Sequence, residues 1–205
     1  MALISTYPID GSVTLEDKLI GTDVEDASKT KNYTISSILA LQSLSLTSLF
    51  SGSELTNQLP SGLDTPLQVK FGAAQGDSNS VVQLAANGTI TFNQNGLYFV
   101  DVYLNFERQG SSGGTSITLF RELINDVQVG PIKSVDLATT GISVPFETLV
   151  PITTGGTYPI GSTVKFQILR DSSGVDEGGL YTQATSSSWD DVPSAFVEVY
   201  RQQLT

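Results

Sequence analysis

GLYFVDVYLNFER, Gly96 to Arg108, is the stretch that decides the fold. Tyr98, Val100, Val102, Leu104 and Phe106 recur at every second position, the period of a β-strand, and form a continuous apolar face that must be core. The alternate face carries Leu97, Phe99 and Tyr103 together with Asp101 and Asn105. A sandwich strand with one solvated side alternates cleanly between apolar and polar. This one does not. SAFVEVYR (194–201) repeats the pattern, with Ala195, Val197 and Val199 inward and Phe196 and Tyr200 outward beside Glu198. Large aromatics on the side that should be wet require a second covered surface. A homo-oligomeric interface at Leu97, Phe99, Tyr103, Phe196 and Tyr200 is expected; the alternative is a cover supplied by the chain's own N-terminal arm.

Further strands are predicted on both sides of this one. LQVKF (67–71), TITF (89–92), TSITLFREL (115–123), ISVPFETLVPI (142–152) and STVKFQILRD (162–171) are rich in β-branched and aromatic residues. AANG, QGSSGG, TTGGTYPIG and DSSGVDEGG separate them as turn signals. Residues 67–205 therefore read as an all-β sandwich or barrel.

The N-terminal third is different. Residues 1–42 carry isolated hydrophobes without strand periodicity and read as an extended arm with one hairpin. Thr34 caps a short predicted helix from Ile35 to Gln42, where Ile35, Ile38, Leu39 and Gln42 share one face. Residues 43–66, rich in Ser and Thr and closed by Pro60, Gly62 and Pro66, read as a connector.

Composition excludes several functions. At 205 residues the chain is long enough for one full-sized domain plus an appendage, or for two small domains. A net charge of −11 with no basic run argues against nucleic acid and anionic membranes, which need clustered Lys and Arg. The absence of Cys and His removes disulfides, thiolate nucleophiles, structural zinc and the commonest general base. MALISTYPID lacks the basic and long apolar regions of a signal peptide, and no apolar run approaches the length of a membrane span. No cofactor is expected.

ITFNQNGLYFVDVYLNF (90–106) resembles the signature strand pair of the tumour-necrosis-factor and complement-globular-head jelly rolls, with Gly96, Tyr98 and Val100 at the G-x-Y-x-φ positions. PIGSTVKFQI (159–168) resembles that family's later strand entry, with Ser162 where Asp is usual, and SAFVEVYR resembles its final strand, which lies near a trimer axis. The resemblance covers residues 67–205 and implies a trimeric jelly roll. DKLIGTDVEDASKTKNYTISSI (17–38) resembles a recurring N-terminal segment of tailed-bacteriophage structural proteins that fixes fibre or appendage domains to the particle. Gly21, Thr22, Asp23, Glu25, Asp26, Lys29, Thr30, Lys31, Asn32 and Tyr33 are the matching positions. Together these resemblances imply a homotrimeric head fibre or capsid decoration protein on the virion surface. Its partners would be itself and other virion proteins. A tail-associated receptor-binding protein recognising a host glycan is the second expectation, and a polysaccharide-degrading virion enzyme the third.

Other candidate sites are weaker. Asp171, Asp176 and Glu177 cluster in a Gly-rich loop, and Asp190 and Asp191 follow, but the spacing of a calcium loop is absent. Glu107, Glu122, Glu147 and Asp190 include no spacing that picks out a glycosidase pair. Trp189 could stack on a sugar, although a lone Trp in an all-β domain is more often core or interface.

Overall fold

The computed structural model describes residues 18–23, 29–34, 44–76, 80–186 and 188–204. Two units are present. Met1–Ser45 with Gln203–Thr205 forms one, and Leu46–Gln202 the other. Among the described residues every regular element is a strand. The helix expected over Ile35–Gln42 lies outside the described residues.

In the first unit β1 (Lys18–Asp23) and β2 (Lys29–Thr34) pair as an antiparallel hairpin. The rest of the strands follow as β3 (Leu44–Glu54), β4 (Leu67–Gln68), β5 (Ala74–Gln75), β6 (Val82–Leu84) and β7 (Ile90–Phe92). Then come β8 (Gly96–Arg108), β9 (Ser116–Ile124), β10 (Val127–Leu137) and β11 (Val144–Thr154). β12 (Thr163–Arg170), β13 (Gly178–Leu180) and β14 (Ala195–Leu204) complete the series.

One sheet has the order β11-β8-β14-β3-β5, with β13 also on β8; the other runs β10-β9-β12-β7-β6, with β4 also on β12. The pairings are nested. β9 pairs with β10, β8 with β11, β7 with β12, and β3 lies beside β14. A long hairpin folded on itself and rolled into two sheets gives this order, which is a jelly roll.

The core lies between the sheets. Tyr98, Val100, Val102, Leu104 and Phe106 of β8 are each 0% exposed, as are Ala195, Val197 and Val199 of β14, so the two-residue period assigned the inward face correctly. On the opposite sheet β12 alternates strictly, with Val164, Phe166 and Ile168 inward. A run of rings joins the two layers. Phe166 stacks on Phe120 with centroids 5.9 Å apart and meets Phe71 edge-on at 5.8 Å. Phe120 in turn leans on Phe146 of the other sheet at 5.0 Å. Such contacts add to the area term, itself about 1.5–3 kcal/mol per buried Phe.

Two boundaries differ from expectation. Residues 43–66 are not simply a connector, because β3 lies within them and enters the sheet beside β14 with Phe50 buried. Its serines mask the strand, and Gly52 weakens the pattern further. Gly52 is required by close approach, since a Cβ there would stand 2.6 Å from the Phe71 carbonyl oxygen. β10 was also hidden, because Gly130 and Pro131 interrupt it. It is an edge strand with a register shift between Val129 and Lys133, where a missing N–H breaks no central ladder. Asn125 and Asp126 join it to β9, both at positive φ (51° and 65°), as a two-residue type I′ hairpin turn demands.

Candidate functional site

The outward face of the β8 sheet gathers the residues expected at an interface. Leu97, Phe99 and Tyr103 of β8 and Phe196 and Tyr200 of β14 are all half-buried on this face. Register explains the grouping: Phe99 stands opposite Tyr200, and Tyr103 opposite Phe196. On the other side of β8, β11 places Pro151 opposite Phe99, Leu149 opposite Asp101 and Glu147 opposite Tyr103. Leu149 is 56% exposed. The result is a broad apolar surface spread over three adjacent strands.

Acidic groups sit in its middle. Asp101 and Glu198 share one register position, and Glu147 is on the neighbouring strand. Partial burial, then the charges of Glu147 and Glu198, raise the Asp101 carboxyl above its ordinary range. Glu198 is held by its neighbours: Ser48 Oγ donates to its Oε1 at 2.8 Å. It also accepts the Tyr200 hydroxyl, and that hydrogen bond, with burial and the carboxylate charges, pushes the phenol up to about 12. The face is therefore sticky at its rim and self-repelling at its centre.

The strands of the N-terminal segment singled out in the sequence, Lys18–Asp23 and Lys29–Thr34, form the β1–β2 hairpin. Gly21 stands opposite Lys31, Thr22 opposite Thr30 and Asp23 opposite Lys29, with Asn32 and Tyr33 facing Ile20 and Leu19. Glu25 and Asp26 lie outside the described residues. The register alone brings the two halves of the motif together.

At one end of the sandwich a network of ions ties loops to strand ends. Arg108 is 2% exposed, pairs with Glu177 at 2.6 Å and also donates to the carbonyls of Ser112 and Gly114. The Ser112 N–H, with Arg108 behind it, holds the Glu177 carboxyl below its ordinary value. Arg170 binds Asp176 at 2.7 Å and donates to the Gly178 carbonyl. Asp171 is lowered by the hydroxyl and N–H of Ser173. Asp176 and Glu177 thus answer buried guanidinium groups, and among the described residues no three acidic groups gather as a metal site. The carboxylates weighed as a glycosidase pair are dispersed. Glu107 is buried and accepts from Ser143 Oγ at 2.8 Å, Glu122 pairs with Lys133 at 2.8 Å, and Glu147 and Asp190 are exposed.

The chain is similar in structure to many solved proteins, and two illustrate the likeness. One is a tumour-necrosis-factor protein, Eiger TNF from S. frugiperda, at 9% identity and a TM-score of 0.45, over 78% of this chain and 94% of that one. The other is the globular domain of zebrafish complement 1qA protein, at 14% identity and a TM-score of 0.35, over 76% of this chain and 96% of that one. No family model matches the chain. No curated protein matches it either.

Two features escaped the sequence. The contribution of β11 to the apolar face was hidden by Pro145 and Pro151, which an edge strand tolerates. The alternation of Glu147, Leu149 and Pro151 against Thr148, Val150 and Ile152 was the available signal. Trp189 was expected in the core or an interface. It is 81% exposed, outside the core, on a loop closed by paired backbone hydrogen bonds between Gln183 and Val192.

Proposed function

We propose that this chain is a homotrimeric structural protein of a tailed-bacteriophage virion, a head fibre or capsid decoration protein on the particle surface that acts by binding rather than catalysis. The observation that carries the proposal is the outward face of the β8 sheet, where Leu97, Phe99, Tyr103, Phe196 and Tyr200 form a half-buried apolar surface. Further copies of the same chain, arranged about a threefold axis, are the economical cover for it. The number three and the phage setting come from the sequence resemblances, and the hairpin of Gly21–Asp23 and Lys29–Tyr33 is the attachment element. Three linked knobs would raise a weak individual contact to useful avidity.

Sedimentation equilibrium tests the assembly: three times 21.8 kDa, about 65 kDa, is expected, and a monomer across the micromolar range would refute it. Removal of residues 1–40 should leave trimeric knobs that no longer join particles.

A tail-associated receptor-binding role is the second reading, favoured by the exposure of Trp189 on its closed loop, since an exposed indole can stack on a sugar ring. Binding on a glycan array that is lost with Trp189→Ala would select it. Release of reducing sugar from host polysaccharide would instead select an enzyme.

A further inference from the structure

The β12 sheet has its own outward face, on the other side of the sandwich from the surface proposed for self-association, and it holds a shallow cleft. Pro66, Leu119, Ile132 and Leu169 supply apolar walls, with Arg121 and Gln167 along one side. Strand register builds the cleft. Leu119 stands opposite Leu169, and Arg121 opposite Gln167, on adjacent strands. Ile132 comes from the register shift of β10 and is 51% exposed.

Arg121 is the unusual member. Its Nε and Nη2 both donate to Gln167 Oε1, at 2.9 and 2.6 Å. A guanidinium has five N–H donors, so three remain without an acceptor among the described residues. The other cations of this sheet are compensated: Lys133 by Glu122, Lys165 by Asp126 and Arg170 by Asp176. Among the described residues Arg201 is the other half-buried Arg without a carboxylate partner, but it also lies over the Tyr98 ring, whereas Arg121 is answered only by a neutral amide. Gln167 fixes the plane of the guanidinium and leaves its outer edge ready for a bidentate acceptor.

We infer that this cleft docks an acidic side chain flanked by aliphatic residues on a protein partner, the carboxylate on Arg121 and the aliphatic group against Leu119, Ile132 and Leu169. A polyanion is disfavoured, because one cation cannot offset the repulsion of a net charge of −11. A self-contained small molecule is disfavoured by size. The cleft's volume is about 40 Å³, far below the roughly 300–1,000 Å³ of ordinary ligand pockets. One or two side chains of a larger partner fit it.

The test is methyl-detected NMR of the full-length chain titrated with acetyl-Leu-Glu-Leu-amide. Saturable shifts at Leu119, Ile132 and Leu169 are expected, with the Gln peptide about tenfold weaker or worse. Arg121→Gln should abolish that difference, while Lys165→Gln should preserve it. Equal affinity for the Glu and Gln peptides overturns the inference, and so do shifts confined to other surfaces. Stronger binding of acetyl-Leu-Leu with a free C-terminus overturns the assignment to a side chain. If Arg121→Gln does not fold, the two-peptide comparison on the unaltered chain still decides. The outcome is independent of whether the protein trimerises.

Discussion

Asp101 and Glu198 face one another across the β8–β14 ladder, two carboxylates at a single register position on the outward face of one sheet. Like charges placed directly opposite destabilise a strand pair, so this position works against the sheet that carries it. Burial and the two neighbouring acids raise the Asp101 carboxyl in the folded chain above its ordinary 3.8. The folded state then binds a proton more tightly than the unfolded state, and stability declines as pH rises from the ordinary value through the raised one. Asp101→Asn should therefore unfold at higher urea concentration than the parent at pH 7 and match it below pH 3.8. An unchanged midpoint at pH 7 would remove the repulsion from the account.

Self-association should respond in the same direction. Covering Asp101, Glu147 and Glu198 with a second copy concentrates like charge further. The dissociation constant read by sedimentation should fall on acidification from pH 8 to pH 5, and the fall should be smaller in Asp101→Asn.

Phe99→Glu should separate folding from assembly. The side chain is half-buried on the outward face, so far-ultraviolet circular dichroism should persist while the sedimenting mass drops to that of one chain. A trimer that survives the change would place the contact elsewhere.

Phe166→Ala removes the ring that joins Phe71 and Phe120. A loss of about 3–5 kcal/mol is expected from chemical denaturation, the range for a large aromatic truncated in a close-packed core. A loss below 1 kcal/mol would mean that the site collapses around the gap.

Gly178 sits beneath two buried hydroxyls. A Cβ there would stand 2.5 Å from Thr118 Oγ1 and 2.6 Å from Ser116 Oγ. Neither hydroxyl has a hydrogen-bond partner among the described residues. Gly178→Ala should cost about 1–3 kcal/mol through overpacking. In a Ser116→Ala, Thr118→Ala background the same change should cost less, a non-additivity that a double-mutant cycle measures directly. Thr118→Val, which keeps the shape and drops the polar group, should be neutral or stabilising.

The strands that could be read in the sequence are those whose two faces differ in chemistry. β8, β12 and β14 alternate between core and surface, and the inward residues of β8 and β14 were named correctly from period alone. β3 and β10 were not seen, because Ser48, Ser51 and Ser53 dilute one and Gly130 and Pro131 interrupt the other. The Asn125–Asp126 turn was a usable signal for β10 that went unread. The interface candidates were legible because aromatic residues on a wet face are conspicuous. The cleft at Arg121 was not, since its walls come from β9, β10, β12 and the segment before β4, and only the sheet order brings them together.

The nesting of the ladders also sets a timetable for the chain as it is made. β9 and β10 can meet as soon as the two-residue turn between them has been synthesised. β8 must wait for β11, and β7 for β12. β3, among the earliest strands to leave the ribosome, has no neighbour on one side until β14 emerges. An early strand edge held open this long needs shielding from other nascent chains, and its Ser-rich, weakly apolar sequence supplies that shield.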